Sequence, residues 1–253
     1  MYDNISNGNG DIVYPMIVDE VINALYSVAT EQRRKTNEWF FKTDPGQYGH
    51  GDKFIGVSMP DLRKVAKKFY QHTPFNQLAK LLGSAIHELR LCALIMLVYQ
   101  YPQGDQGKIY RFYTQHFEAI NNWDLVDASA PHIIGGYLYH HEKSADMLLE
   151  YAHSESLWVR RIAIISTFYF IRNNAFEPTL TIAKILLRDK EDLIHKATGW
   201  MLREIYKRDN VLVRQYLKQN YAQLPRTTLR YAIEKMDKQE RQVYLKGEFN
   251  AAN

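Results

Sequence analysis

Trp123 and Asp127, in the stretch NNWDLVDASAP (residues 121–131), stand four residues apart, a spacing that puts an indole and a carboxylate on the same side of a helix. Further along, Lys196, Trp200 and Arg203 follow i, i+4, i+7 spacing and share a helix face as well, and the pair Arg160-Arg161 lies between the two groups. Three neighbouring segments thus supply acidic, aromatic and basic side chains that could converge on one groove. Each residue also has an ordinary structural use. A tryptophan fills cores, an aspartate near a helix start caps it, and arginines bind neighbouring helix ends. Asp127 is the hardest to place that way, because a charge set among apolar neighbours costs several kcal/mol unless it meets a cation, hydrogen-bond donors or solvent in a cleft.

The elements that must position these groups read as helices. From Val18 onward apolar residues recur at helical spacing in runs of ten to eighteen residues, broken by short segments such as YPQGDQGK and RNNAFEP, and period-two alternation is scarce. Similar segments recur along the chain: PDLRKVAKKF, HELRLCALIML, NWDLVDASAP, LWVRRIAIIST, LIHKATGWMLRE and TTLRYAIEKM. With Arg63, Arg90, Asp124, Arg160, Lys196 and Arg230 taken as equivalent, successive spacings are 27, 34, 36, 36 and 34 residues, or one helix pair per repeat. The expected fold is an all-α, HEAT-like or armadillo-like superhelix of stacked pairs with a concave basic cleft. Three places after the marker the central repeats carry Ala93, Asp127, Ala163 and Gly199, so the aspartate takes a slot that its neighbours fill with a small residue.

The 253 residues suffice for a sizeable core, and 46% hydrophobic with 24% charged residues is ordinary globular composition. The division expected is a flexible tail over residues 1–12, a single helical-repeat domain over 13–246 and a flexible tail over 247–253. Cys92, the sole cysteine, excludes an intramolecular disulfide and a Cys-only zinc cage, and its apolar surroundings disfavour a thiolate. The polar start MYDNISNGNGDI lacks the pattern of a secretory leader, and no apolar run reaches the length of a membrane span, which leads to the expectation of a soluble, cytoplasmic chain. Net charge is +4, and basic residues cluster in RDKEDLIHK, LREIYKR and LPRTTLR. Clusters on one face attract a polyanion, although a solvated helix face has the same composition. The histidines of PHIIGGYLYHHEK (His132, His140, His141) have no HExxH or HxE…PCxxC companion, so they read as solvated or core-edge side chains and no metal is expected. A glycine-rich loop over residues 45–56 lacks GK[ST] and reads first as a surface turn, with phosphate binding by its amides as the alternative.

The segments FKTDPGQYGHGDKFIGVSMPDLRK, NNWDLVD, SLWVRRIAIIST and HKATGWMLREIYKRD resemble those of the AlkD family, helical-repeat DNA glycosylases that remove alkylated purines; the likeness runs from about Asn37 to about Asp237. It implies that Asp127 is the active-site carboxylate, Trp123 and Trp200 the paired indoles and Arg161 the cleft arginine. Arg160, Lys196 and Arg203 are the further candidates for phosphate contacts. The implied reaction is hydrolysis of the N-glycosidic bond of cationic purines such as 3-methyladenine and 7-methylguanine in duplex DNA. It would proceed without cofactor or base flipping and leave an abasic site. The implied partner is alkylated double-stranded DNA bound by a monomer, with the chain nucleoid-associated when bound. The competing reading is a non-catalytic helical-repeat module that binds nucleic acid or a protein partner, since a scaffold can outlive its chemistry.

Overall fold

The computed structural model describes residues 17–142 and 144–249, together with the backbone of Ile5–Ser6 and Ile12–Val13, which pair as two antiparallel two-residue strands. The rest of the expected tail over residues 1–12, and residues 250–253 of the expected C-terminal tail, lie outside the described residues. Everything else regular is helix. Fourteen α-helices are described among these residues, with short 3-10 turns and two π-helical turns between them.

The chain forms two compact units that divide between Leu125 and Val126. The first contains α1 (Ile17–Ser27), α2 (Glu31–Phe40), α3 (Met59–Phe69), α4 (Phe75–Leu82), α5 (His87–Gln100), α6 (Gln106–Thr114) and the opening of α7 (Trp123–Ala130). Here α3 and α4 both pack on α5, and α1 packs on α3 and α4. α5 buries eleven consecutive residues, His87 through Leu97, so it is the central rod of this unit rather than an amphipathic surface helix. α2 buries none of its own residues.

The second unit holds the rest of α7, α8 (Asp146–Ala152), α9 (Leu157–Arg172), α10 (Glu177–Leu186), α11 (Asp192–Tyr206), α12 (Asn210–Asn220), α13 (Arg226–Ala232) and α14 (Lys238–Lys246). α9, α11 and α13 pack successively on one another. α8 lies against α9, α10 against both α9 and α11, α12 against α11, and α14 against α13.

Helix starts follow capping chemistry. Thr30, Ser58, Asp105, Asp209 and Asp237 each accept a hydrogen bond from a first-turn amide of α2, α3, α6, α12 and α14 respectively. α14 stops at Gly247, whose φ of +78° is the left-handed conformation that ends helices.

The sequence repeat corresponds to this helix pairing. The six marker residues fall on α3, α5, α7, α9, α11 and α13, every second helix in chain order. Two of the markers make the same tie. Arg90 donates from Nη1 to the carbonyl of Ser84, six residues back, and from Nη2 to Asn121, 31 residues ahead. Arg160 donates to the carbonyl of Ser154, six residues back, and to Asp189, 29 residues ahead. Each guanidinium therefore joins the start of its own helix to the loop before the next marker helix, a local reason for the period near 35. The slot three places after the marker holds Ala66, Ala93, Ala163 and Ile233, each at most 1% exposed. At Gly199 a Cβ would meet the Tyr231 Cβ at 2.5 Å and the Thr228 carbonyl at 2.6 Å, so glycine is what lets α11 approach α13.

Candidate active site

Asp127 breaks the pattern of its slot by remaining open to solvent: its side chain is 17% exposed, and that of its partner Arg161 only 6%. Arg161 Nε donates to Oδ1 at 3.0 Å and Nη2 to Oδ2 at 2.8 Å, the parallel two-bond fork in which guanidinium and carboxylate geometry match. Its remaining arm, Nη1, donates to the carbonyl of Leu193 at 2.6 Å in the first turn of α11. The arginine is thereby fixed at three points, and it holds both carboxylate oxygens in one orientation. Arg160, the other half of the pair, turns elsewhere. Its Nε and Nη2 bind Asp189 at 2.6 and 3.3 Å, and Nη1 binds the carbonyls of Ser154 and Glu155.

Trp200 lies seven residues beyond Leu193 on α11, half-buried, with its ring tilted at 40° to Phe168 and 6.1 Å from it. Its indole N–H donates to Glu204 Oε1 at 3.2 Å, and the same buried carboxylate draws Lys207 to 2.5 Å. Lys196 pairs with Asp192 at 2.8 Å while 42% of its side chain stays exposed. Arg203 forms an ion pair with Glu234. Lys196 is thus more accessible than Arg203, whose side chain is 18% exposed.

In the first unit Trp123 is held by an aromatic column. Its ring stacks on Phe41 at 5.2 Å and 15°, Phe41 stacks on Phe54 at 5.1 Å and 21°, and Phe54 stacks on His87 at 4.6 Å and 24°; Phe40 meets the indole edge-on at 5.7 Å. The polar residues flanking Trp123 are equally engaged. Asn121 accepts from Arg90, Asn122 donates to Asp52, and Asp124 Oδ2 accepts from His87 Nε2 at 2.8 Å. His87 Nδ1 reaches Asp52 Oδ2 at 3.0 Å, so the imidazole bridges two carboxylates while 1% exposed. Burial by itself would lower the pKa of this ring. The charge of Asp124 and the hydrogen bonds to Asp124 and Asp52 outweigh it and raise the pKa to about 9, so at neutral pH both ring nitrogens donate. Burial pushes the Asp52 carboxyl up, but His87 and Arg90 prevail and hold it below the ordinary range.

The glycine-rich loop belongs to the same assembly. Its last amides, on Ile55, Gly56 and Val57, all donate to the buried carboxylate of Glu88, which also accepts from Asn37. Those donors are already occupied by a carboxylate of the chain itself. Gly56 has φ +89°, and a Cβ there would collide with the Thr30 carbonyl, which explains that glycine by backbone conformation. A cavity of about 300 Å³, walled by Asn37, Phe40, Phe41, Phe54, His87 and Asp124 among others, opens beside the column.

Sequence reading did not find Asp52, His87, Glu88 or the three phenylalanines. The signal was present as polar residues in two places. NNWD carries three hydrogen-bonding side chains around one tryptophan, and HELR opens an otherwise apolar helix. His132, His140 and His141 are exposed, and among the described residues no three His, Cys, Asp or Glu side chains cluster as metal ligands. Cys92 is fully buried, and burial raises its thiol to about 12. No helix among the described residues is long and apolar enough to cross a membrane.

These features define an all-α protein of the helical-repeat, α-α superhelix class with a solvent-reaching, arginine-clamped carboxylate. The profile of the family described as DNA alkylation repair enzyme matches residues 21–236, and the chain belongs to that family of DNA repair proteins. A solved structure described as a predicted DNA alkylation repair enzyme from Enterococcus faecalis superposes with a TM-score of 0.68, covering 83% of this chain and 97% of that one at 17% identity, a likeness of fold. No curated protein matches the sequence.

Proposed function

We propose that the protein is a monofunctional DNA glycosylase that hydrolyses the N-glycosidic bond of alkylated, cationic purines such as 3-methyladenine and 7-methylguanine in duplex DNA. The observation that carries this reading is the Asp127 carboxylate, oriented by Arg161 and reaching solvent in a repeat position that is otherwise apolar and closed.

Alkylation at N3 or N7 makes the purine a good leaving group, because the base departs neutral. The barrier then lies in the oxocarbenium character of the deoxyribose, and a fixed negative charge beside the sugar lowers it. Enzymes that hydrolyse ordinary glycosides use two carboxylates because their leaving group is poor and needs a proton; here one carboxylate suffices. Asp127 takes the roles of electrostatic stabiliser and orienter of water. Trp123, one helical turn before it on α7, and Trp200 present π faces that favour developing positive charge. Arg161 orients the carboxylate and supplies a positive charge toward the lesion's phosphate. Lys196 and Arg203 contribute phosphate attraction, and Arg160 acts through its tie to Asp189, holding the start of α9 on which Arg161 sits. The base stays in the duplex in this scheme, attacked from its sugar side.

Asp127→Asn on methylated duplex DNA, with released purines followed by chromatography, tests the reading. Release is lost and duplex affinity retained if it holds; an unchanged rate, or a wild type that releases no purine from any methylated duplex, overturns it. Nicking of abasic DNA, or trapping on it by borohydride, overturns the monofunctional assignment.

A further inference from the structure

We propose that His87 is a positioning residue for Trp123: by bridging Asp52 on the glycine-rich loop and Asp124 on α7, it fixes the indole that the glycosylase reading places against the deoxyribose. The inference rests on that reading for its catalytic consequence but on the geometry of the first unit for its substance.

Two routes link the ring to the indole. Along the chain, Asp124 is the residue next to Trp123, and its Oδ2 is held by His87 at 2.8 Å while its Oδ1 accepts from the Leu125 amide. Through space, Phe54 and Phe41 stack between imidazole and indole, and Phe41 also touches the His87 ring at 4.9 Å. A charged imidazolium suits this place twice over. It can donate to two carboxylates at once, which a neutral ring with one N–H cannot, and a cation is attracted by the faces of the rings packed on it. The charged groups around the ring are Asp52 on the loop, Asp124 on α7, and Arg90 and Glu88 on α5 itself; Arg90 binds the second oxygen of Asp52 at 2.6 Å, and Glu88 is directed to the loop amides. Phe41 and Phe54 bring no charge. Loss of the ring proton takes the His87 donor from one of the two carboxylates, each buried with its side chain at most 8% exposed, so the bridge opens on one side. The side that opens is either the loop beneath the column or the first turn of α7, and both carry the position of Trp123.

The test uses the full chain labelled with fluorotryptophan and with isotope-labelled histidine. The Trp123 resonance is assigned by Trp123→Phe, and spectra are followed from about pH 6 to about pH 10. The expected result is that the His87 ring titrates far above a free histidine, that the Trp123 resonance moves with the same midpoint, and that the Trp200 resonance does not. In parallel, kcat for purine release falls along the same curve with KM unchanged. In His87→Gln the Trp123 resonance is displaced already at neutral pH, kcat is down about tenfold or more, and the alkaline limb is gone. A Trp123 resonance that ignores His87 titration overturns the proposal, as does a His87→Gln protein with wild-type kcat and pH profile. Should that variant fail to fold, the wild-type titration decides alone. Should the wild type release no purine, the glycosylase reading falls, while the coupling of the two resonances still decides whether His87 positions Trp123.

Discussion

Asp127 and Arg161 form a pair in which neither partner is dispensable in the same way. Removing the carboxylate's charge by Asp127→Asn keeps the shape and part of the hydrogen bonding, so cooperative unfolding persists, while on the proposed glycosylase reading purine release drops on the order of 10²-fold or more; single-turnover release beside a thermal melt checks both. Arg161→Ala instead leaves a part-buried carboxylate facing the gap and takes from the Leu193 carbonyl its side-chain donor. Breaking a buried pair costs about 3–5 kcal/mol, and the partial exposure of Asp127 puts this case near the lower end. Urea unfolding measures it. At Cys92 burial holds the thiol protonated, so a thiol reagent at neutral pH leaves the folded protein unlabelled and reacts only after denaturant is added. Labelling of the native protein would contradict the burial.

At the scale of elements, close approach decides more than propensity. α11 reaches α13 because residue 199 has no side chain, and Gly199→Ala forces a methyl group against Tyr231 and Thr228. Overpacking of this kind costs about 1–3 kcal/mol, read as a lower urea midpoint at constant m-value. The loop before α3 is held differently, by three amides converging on Glu88. Glu88→Gln removes the charge from those bonds, and the amides of Ile55, Gly56 and Val57 then exchange with solvent faster than those of the α5 core. Equal protection in the variant would show that the loop is held by packing of Phe54 instead.

For the molecule as a whole, pH and salt report different charges. His87 titrates near 9 in the fold against the usual 6.5 for an unfolded histidine, so its contribution to stability is complete below about 6.5 and is lost as pH rises through about 9. Thermal melts of wild type should therefore lose stability on that alkaline stretch, and His87→Gln should lose less. On the proposed glycosylase reading, binding to duplex DNA follows counterion release, and Lys196→Ala is expected to weaken it evenly across sequences and to reduce the salt slope by about 1. An unchanged slope would remove Lys196 from the phosphate contacts.

Sequence alone determined the helical class, the repeat near 35 residues and the odd position of Asp127, because helical periodicity and a charge among small residues are local properties of the chain. It also supplied Arg161 and the two indoles as candidates, through resemblance in short motifs. Tertiary structure decided how Arg161 clamps the carboxylate and what Arg160 binds instead, since the direction in which each leaves α9 acquires meaning only from α7, α11 and the Asp189 loop. Asp52, His87 and Asp124 became one network for the same reason: residues 35 and 37 positions apart meet only after α5 is buried, and burial strengthens a hydrogen bond between charges that water would otherwise screen.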